Sequence, residues 1–83
     1  MSKLVINFVW QTLNRGNVQA YLEYLHQGCI VLIDDYRDFM DDATPMAAVS
    51  FRIFDDGEWV AFDGDFWLER QHAKHPAVLY GEW

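Results

Sequence analysis

His26-Gln27-Gly28-Cys29 and His72-Ala73-Lys74-His75 are two short-spaced pairs of metal-ligating residues, the kind of unit from which tetrahedral zinc sites are assembled. Together they use every histidine and the single cysteine of the chain. Three histidines with one cysteine are an uncommon structural set, however, and the pairs lie further apart than zinc domains usually allow. Cys29 opens an apolar run, where a thiol serves as a small core side chain. His26 falls in the last turn of a helical pattern, where it faces the helix dipole favourably. A zinc domain built on His26, Cys29, His72 and His75 is therefore the alternative expectation.

The denser constellation is anionic. The chain carries thirteen acids against six bases, a formal charge of -7. Ten of the acids fall between Asp34 and Asp65, with only Arg37 and Arg52 to oppose them, and the remaining sequence is close to neutral. Asp34, Asp35, Asp38, Asp41 and Asp42 form a first group. Asp55, Asp56 and Glu58 form a second, and Asp63 and Asp65 a third. Such asymmetry sets up a field that steers a basic partner over roughly a Debye length, about 8 Å at physiological salt. Calcium would also draw aspartates together, but no window has acids at loop positions 1, 3 and 5 with Gly at 6 and Glu at 12.

Catalytic templates are missing. No phosphate-cradling glycine loop, dinucleotide fingerprint or nucleophile elbow occurs. His26 and Cys29 could pair as base and nucleophile only from the end of one short helix, without a third group to orient them. Asp63 and Asp65, on a wet turn, lack the burial that would separate their pKa values. The reading is a protein that is not an enzyme, with no catalytic residues and no cofactor.

These side chains must be positioned by one small domain spanning residues 1–83. At 52 % hydrophobic and 17 % aromatic, the composition is that of a dense core rather than of a disordered chain. One cysteine excludes an intrachain disulfide. Leu4–Trp10 is too short for a secretory signal, and no stretch approaches the ~20 apolar residues of a membrane span. The expected location is cytoplasmic, in a bacterial host cell if the chain is phage-encoded. Acidity argues against direct nucleic-acid binding and against anionic membrane surfaces.

Lys3–Thr12 alternates with the period of a strand. Asn14-Arg15-Gly16-Asn17 reads as a turn with Asn17 as N-cap. Val18, Tyr21, Leu22 and Leu25 then make one apolar stripe of a helix over Val18–Gln27, closed by Gly28 at C′. Cys29–Ile33 reads as a strand buried on both faces, and Asp34–Pro45 as its end plus a long exposed loop. Met46–Phe54 alternates again, and Asp55-Asp56-Gly57-Glu58 is a hairpin turn leading to Trp59–Phe62. Asp63-Gly64-Asp65 reads as another turn before Phe66–Glu69, and Ala77–Tyr80 as an edge strand after Pro76. Phe8, Trp10, Tyr21, Phe51 and Phe54 are expected in the core, with Trp83 near the surface.

The predicted fold is α+β: a small antiparallel sheet of four to five strands packed against one helix, in the order β-α-β-β-β. The predicted function is non-catalytic binding. The acids at 34, 35, 38, 41, 42, 55, 56, 58, 63 and 65 would meet a basic protein surface, that of a nucleic-acid-binding protein, and Trp59 and Trp67 would anchor it. In physical type, though in no motif, this resembles phage-encoded anti-CRISPR and anti-restriction inhibitors, DNA mimics, and immunity proteins against nuclease toxins. A homodimer, or a module of a larger assembly, is the remaining expectation for partners.

Overall fold

An asparagine starts the helix, three residues earlier than its apolar stripe suggests. Asn14 is the N-cap: its side chain accepts a hydrogen bond from the Asn17 backbone at 2.8 Å, and its carbonyl takes the first helical bond, from Val18. The helix α1 runs Arg15–Leu25, so the expected turn at 14–17 is its first turn. Val18, Tyr21 and Leu22 are buried as the spacing requires, and Leu25 packs half-buried beside them. The cap at the far end is His26, and Gly28 follows with φ +88, a left-handed turn residue just past it.

The structure, a computed structural model, describes residues 3–10, 12–70 and 77–83, with side chains described over 12–69 and 78–83. His72, His75 and Pro76 lie outside the described residues, as do the side chains of Phe8 and Trp10. Five strands form one antiparallel sheet: β1 (Lys3–Trp10), β2 (Ile30–Asp41), β3 (Thr44–Asp55), β4 (Glu58–Arg70) and β5 (Ala77–Glu82). Their order across the sheet is β1-β5-β4-β3-β2, and α1 covers one face. The chain is thus the expected α+β fold, with one strand more than the order β-α-β-β-β contains.

Four local expectations are corrected. Asp34–Pro45 is not a loop: β2 continues to Asp41 and turns back through Asp42 and Ala43, both at positive φ (50 and 78), directly into β3. Asp63-Gly64-Asp65 is not a turn but the middle of β4. The glycine is there because a Cβ at 64 would stand 2.9 Å from the Trp83 Cβ and 3.0 Å from the Glu82 carbonyl oxygen. The strand opening at Ile30 is not buried on both faces: Val31 and Ile33 are buried beneath α1, while Ile30 and Leu32 are exposed on the face the helix leaves uncovered. Finally, β5 is interior, between β1 and β4, rather than at an edge. The Asp56-Gly57 hairpin is as expected, with φ +51 and +79.

The core lies between α1 and the sheet. Val18, Tyr21 and Leu22 meet Val31, Ile33, Phe51, Ile53, Phe66 and Leu79. Trp83, expected near the surface, packs half-buried into this core instead. Its ring stacks on Phe66 at 5.6 Å and meets Phe51 and Tyr21 edge-on. Phe54, expected in the core, lies on the other face against Trp59, ring centroids 5.0 Å apart. A bulge at Asp34 resets the alternation of β2. Ile33 pairs with Phe51 and Asp35 with Ser50, leaving Asp34 as the extra residue. Beyond it Tyr36, rather than an odd-numbered residue, shares a face with Val49.

Candidate functional site

Antiparallel register arranges the uncovered face of the sheet into rows. Asp35 pairs with Ser50 and Ser50 with Asp63. One row along, Arg37 pairs with Ala48, Ala48 with Asp65, and Asp65 with Glu82. The next row is apolar, running Phe39, Met46, Trp67, Tyr80. Directly opposed side chains on one face have Cβ atoms about 5 Å apart, and alternate residues of one strand about 6.8 Å. Asp63, Asp65 and Glu82 are therefore close neighbours, Asp35 faces Asp63 across Ser50 at about 10 Å, and all four are exposed.

Small residues make this face concave. Ala48 and Ser50 lie in the floor, and the groove above them encloses about 790 Å3. Asp35, Asp41, Asp63, Asp65 and Glu82 stand around it, and Arg37 is the only base among the described residues lining it. The Ser50 hydroxyl donates to Asp63 Oδ1 at 2.8 Å, holding that carboxylate to one side of the floor. Trp67 forms one wall, its ring stacked on Tyr80 at 5.6 Å with planes 5° apart.

The remaining predicted residues are distributed elsewhere. Asp34 is tied to an arginine of its own protein: Arg52 Nε and Nη2 each donate to its carboxylate at 2.8 Å. The Arg52 hydrogen bonds hold the Asp34 carboxyl below the usual carboxylate range, so it stays charged within this exposed pair. The same guanidinium lies 5.2 Å from the centre of the Trp59 ring, which is 43 % exposed. Asp38 shares a face with Tyr36 and Val49, opposite the groove. Asp41 and Asp42 stand at the β2–β3 turn, and Asp55, Asp56 and Glu58 at the β3–β4 turn, at the other end of the twelve-residue β3. Eight of the ten acids thus form one central group and two end groups, and Asp34 and Asp38 stand apart from all three.

Glu82 and Arg37 belong to the groove although the sequence reading passed over them. Glu82 sits outside the acidic stretch and joins it only through the β4–β5 pairing. Its sole sequence signal is the alternation of Val78, Tyr80 and Glu82. His26 and Cys29 lie apart from all this, near Asp55. Burial is the main cause of the lowered His26 pKa, with the Asp55 charge acting against it, and desolvation raises the Cys29 thiol. Among the described residues no cluster of three or more His, Cys, Asp or Glu is placed to hold a metal ion. Among them, too, no helix is long and apolar enough to cross a membrane. No family model matches the chain, and no curated protein and no solved structure matches it either.

Proposed function

We propose that this protein is a non-catalytic binder whose open sheet face occupies a basic surface of a nucleic-acid-binding protein. Phage anti-CRISPR and anti-restriction inhibitors, DNA mimics and nuclease-toxin immunity proteins act in this way. One observation carries the reading: five carboxylates surround a concave floor of small side chains, opposed by a single arginine. A rigid row of anionic oxygens is what a cationic groove meets on a phosphate backbone. The sheet supplies the rigidity, since Asp63 and Asp65 project from an interior strand whose opposite face is packed core. The Trp67–Tyr80 stack beside the acids offers apolar area at low conformational cost, so charge governs approach and the aromatics slow release.

Affinity capture from the native host, read by mass spectrometry at two salt concentrations, tests this. A basic nucleic-acid-binding protein should be retained at low salt and lost at high salt. Asp63→Lys with Asp65→Lys should weaken the complex by roughly tenfold or more, as should Asp41→Lys with Asp42→Lys to a smaller degree, through slower association. Binding indifferent to both double variants and to salt would overturn the proposal.

A further inference from the structure

Among the described residues, one edge of the sheet is protected along only half its length. β2 is an outer strand, and among the described residues no strand pairs with its free side. Over the first half, α1 fills that gap with side chains. Gln19 Nε2 donates to the Val31 carbonyl at 2.9 Å, and Arg15 Nη2 to the Ile33 carbonyl at 2.7 Å. These two carbonyls therefore point away from β3. Backbone groups alternate in direction along an antiparallel strand. With the bulge at Asp34 counted, the outward-pointing residues of the second half are Tyr36, Asp38 and Met40. The helix ends its cover before them, and their N–H and C=O groups form a template for one more strand.

Charge decides what would fit. A second copy of β2 added antiparallel about Asp38 would set Asp38 against Asp38 and Asp35 against Asp41, and directly opposed like charges are destabilising. A basic strand meets the opposite situation. Side chains on its groove side would lie beside Asp35, Arg37, Phe39 and Asp41, and those on the other side beside Tyr36, Asp38 and Met40, the last 65 % exposed. Three acids against one arginine favour a basic segment, with apolar residues to meet Tyr36, Phe39 and Met40.

We infer that the Tyr36–Met40 edge of β2 accepts an extended, basic segment of the partner protein, with apolar residues interspersed, as a sixth strand. This rests on the acidic-face reading above and adds the partner's conformation and pattern to it.

The test uses the unaltered protein and two peptides. One is an eight-residue alternating Lys-Val peptide blocked at both ends. The other is the same peptide N-methylated at every residue whose N–H would face β2, which keeps its charge and side chains but removes those donors. Binding is measured by titration at low and high salt, and edge pairing by amide hydrogen exchange. The expected result is salt-sensitive binding of the first peptide with slowed exchange at Tyr36, Asp38 and Met40, and at least tenfold weaker binding of the second without that protection. Equal, salt-sensitive binding of both peptides would overturn strand addition and leave the acidic face as the binding surface. No binding of either at low salt would overturn both.

Discussion

The indole of Trp83 lies stacked on the Phe66 ring, 5.6 Å between centroids and 25° off parallel, and together they leave Gly81 no room for a side chain. A Cβ at 81 would stand 2.5 Å from Phe66 Cε2 and 2.7 Å from Trp83 Cζ3. Both obstacles are rings fixed in the core, so neither can move aside cheaply. Gly81→Ala should lower stability by roughly 1–3 kcal/mol in a urea titration, the usual range for overpacking. Gly64→Ala should act in the same direction, because it meets the Trp83 Cβ and the Glu82 carbonyl oxygen.

The β2–β3 turn carries strain that a substitution would relieve. Ala43 sits at φ +78, where a side chain is disfavoured and glycine is not. Ala43→Gly converts the turn to Asp-Gly, a preferred two-residue hairpin sequence. Stability should rise by a few tenths to about 1 kcal/mol after the greater unfolded-state entropy of glycine is subtracted. A thermal unfolding midpoint equal to or below that of the wild type would count against the strain.

Arg52 joins Asp34 and Trp59 on the open face. Arg52→Met should lower stability at neutral pH, less so in high salt. Because the folded-state pKa of Asp34 is depressed, its contribution is present above the ordinary carboxylate pKa and is lost as pH falls through the folded value. The gap between variant and wild-type urea midpoints should therefore narrow in acid, and a gap constant with pH would contradict the pairing.

Tyr21 gives the alkaline counterpart. Burial raises its phenol from 10.0 to about 12, against a smaller opposite effect of a hydrogen bond from the Gly81 backbone. A raised folded-state pKa means stability that is full below pH 10 and is lost as pH climbs toward 12, since the unfolded chain ionises first. Tyr36 is raised in the same direction, again mainly by burial. Tyr21→Phe should flatten this alkaline decline without abolishing it, measured as midpoints across that pH range.

What the sequence makes legible is what burial repeats. The helix shows in Val18, Tyr21 and Leu22 because one of its faces is wholly covered, and β3 in Val49, Phe51 and Ile53 because it is an interior strand. The second half of β2 escapes notice for the converse reason. Its side chains stand largely in water at a sheet edge, so no apolar period marks them, and the turn that ends it contains no glycine. Gly64 misleads because turn chemistry and close approach favour the same residue. The groove is half legible. Asp63 and Asp65 are two apart on one strand and must share a face, whereas Asp35 and Glu82 join them only through pairings that no local pattern reveals.

The single unpaired residue at Asp34 has an evolutionary corollary. Point changes along 35–41 alter one side chain at a time and leave the rest facing as before. Loss of one residue within that stretch, Arg37 for example, would be absorbed by straightening the bulge, which sets Asp35 opposite Val49 on the helix side and Tyr36 opposite Ala48 toward water. Loss of Asp34 itself would instead leave Ile33, Asp35 and Tyr36 paired with Phe51, Ser50 and Val49 as a regular ladder. Lineages of this protein should therefore tolerate many replacements in this segment while keeping its length invariant.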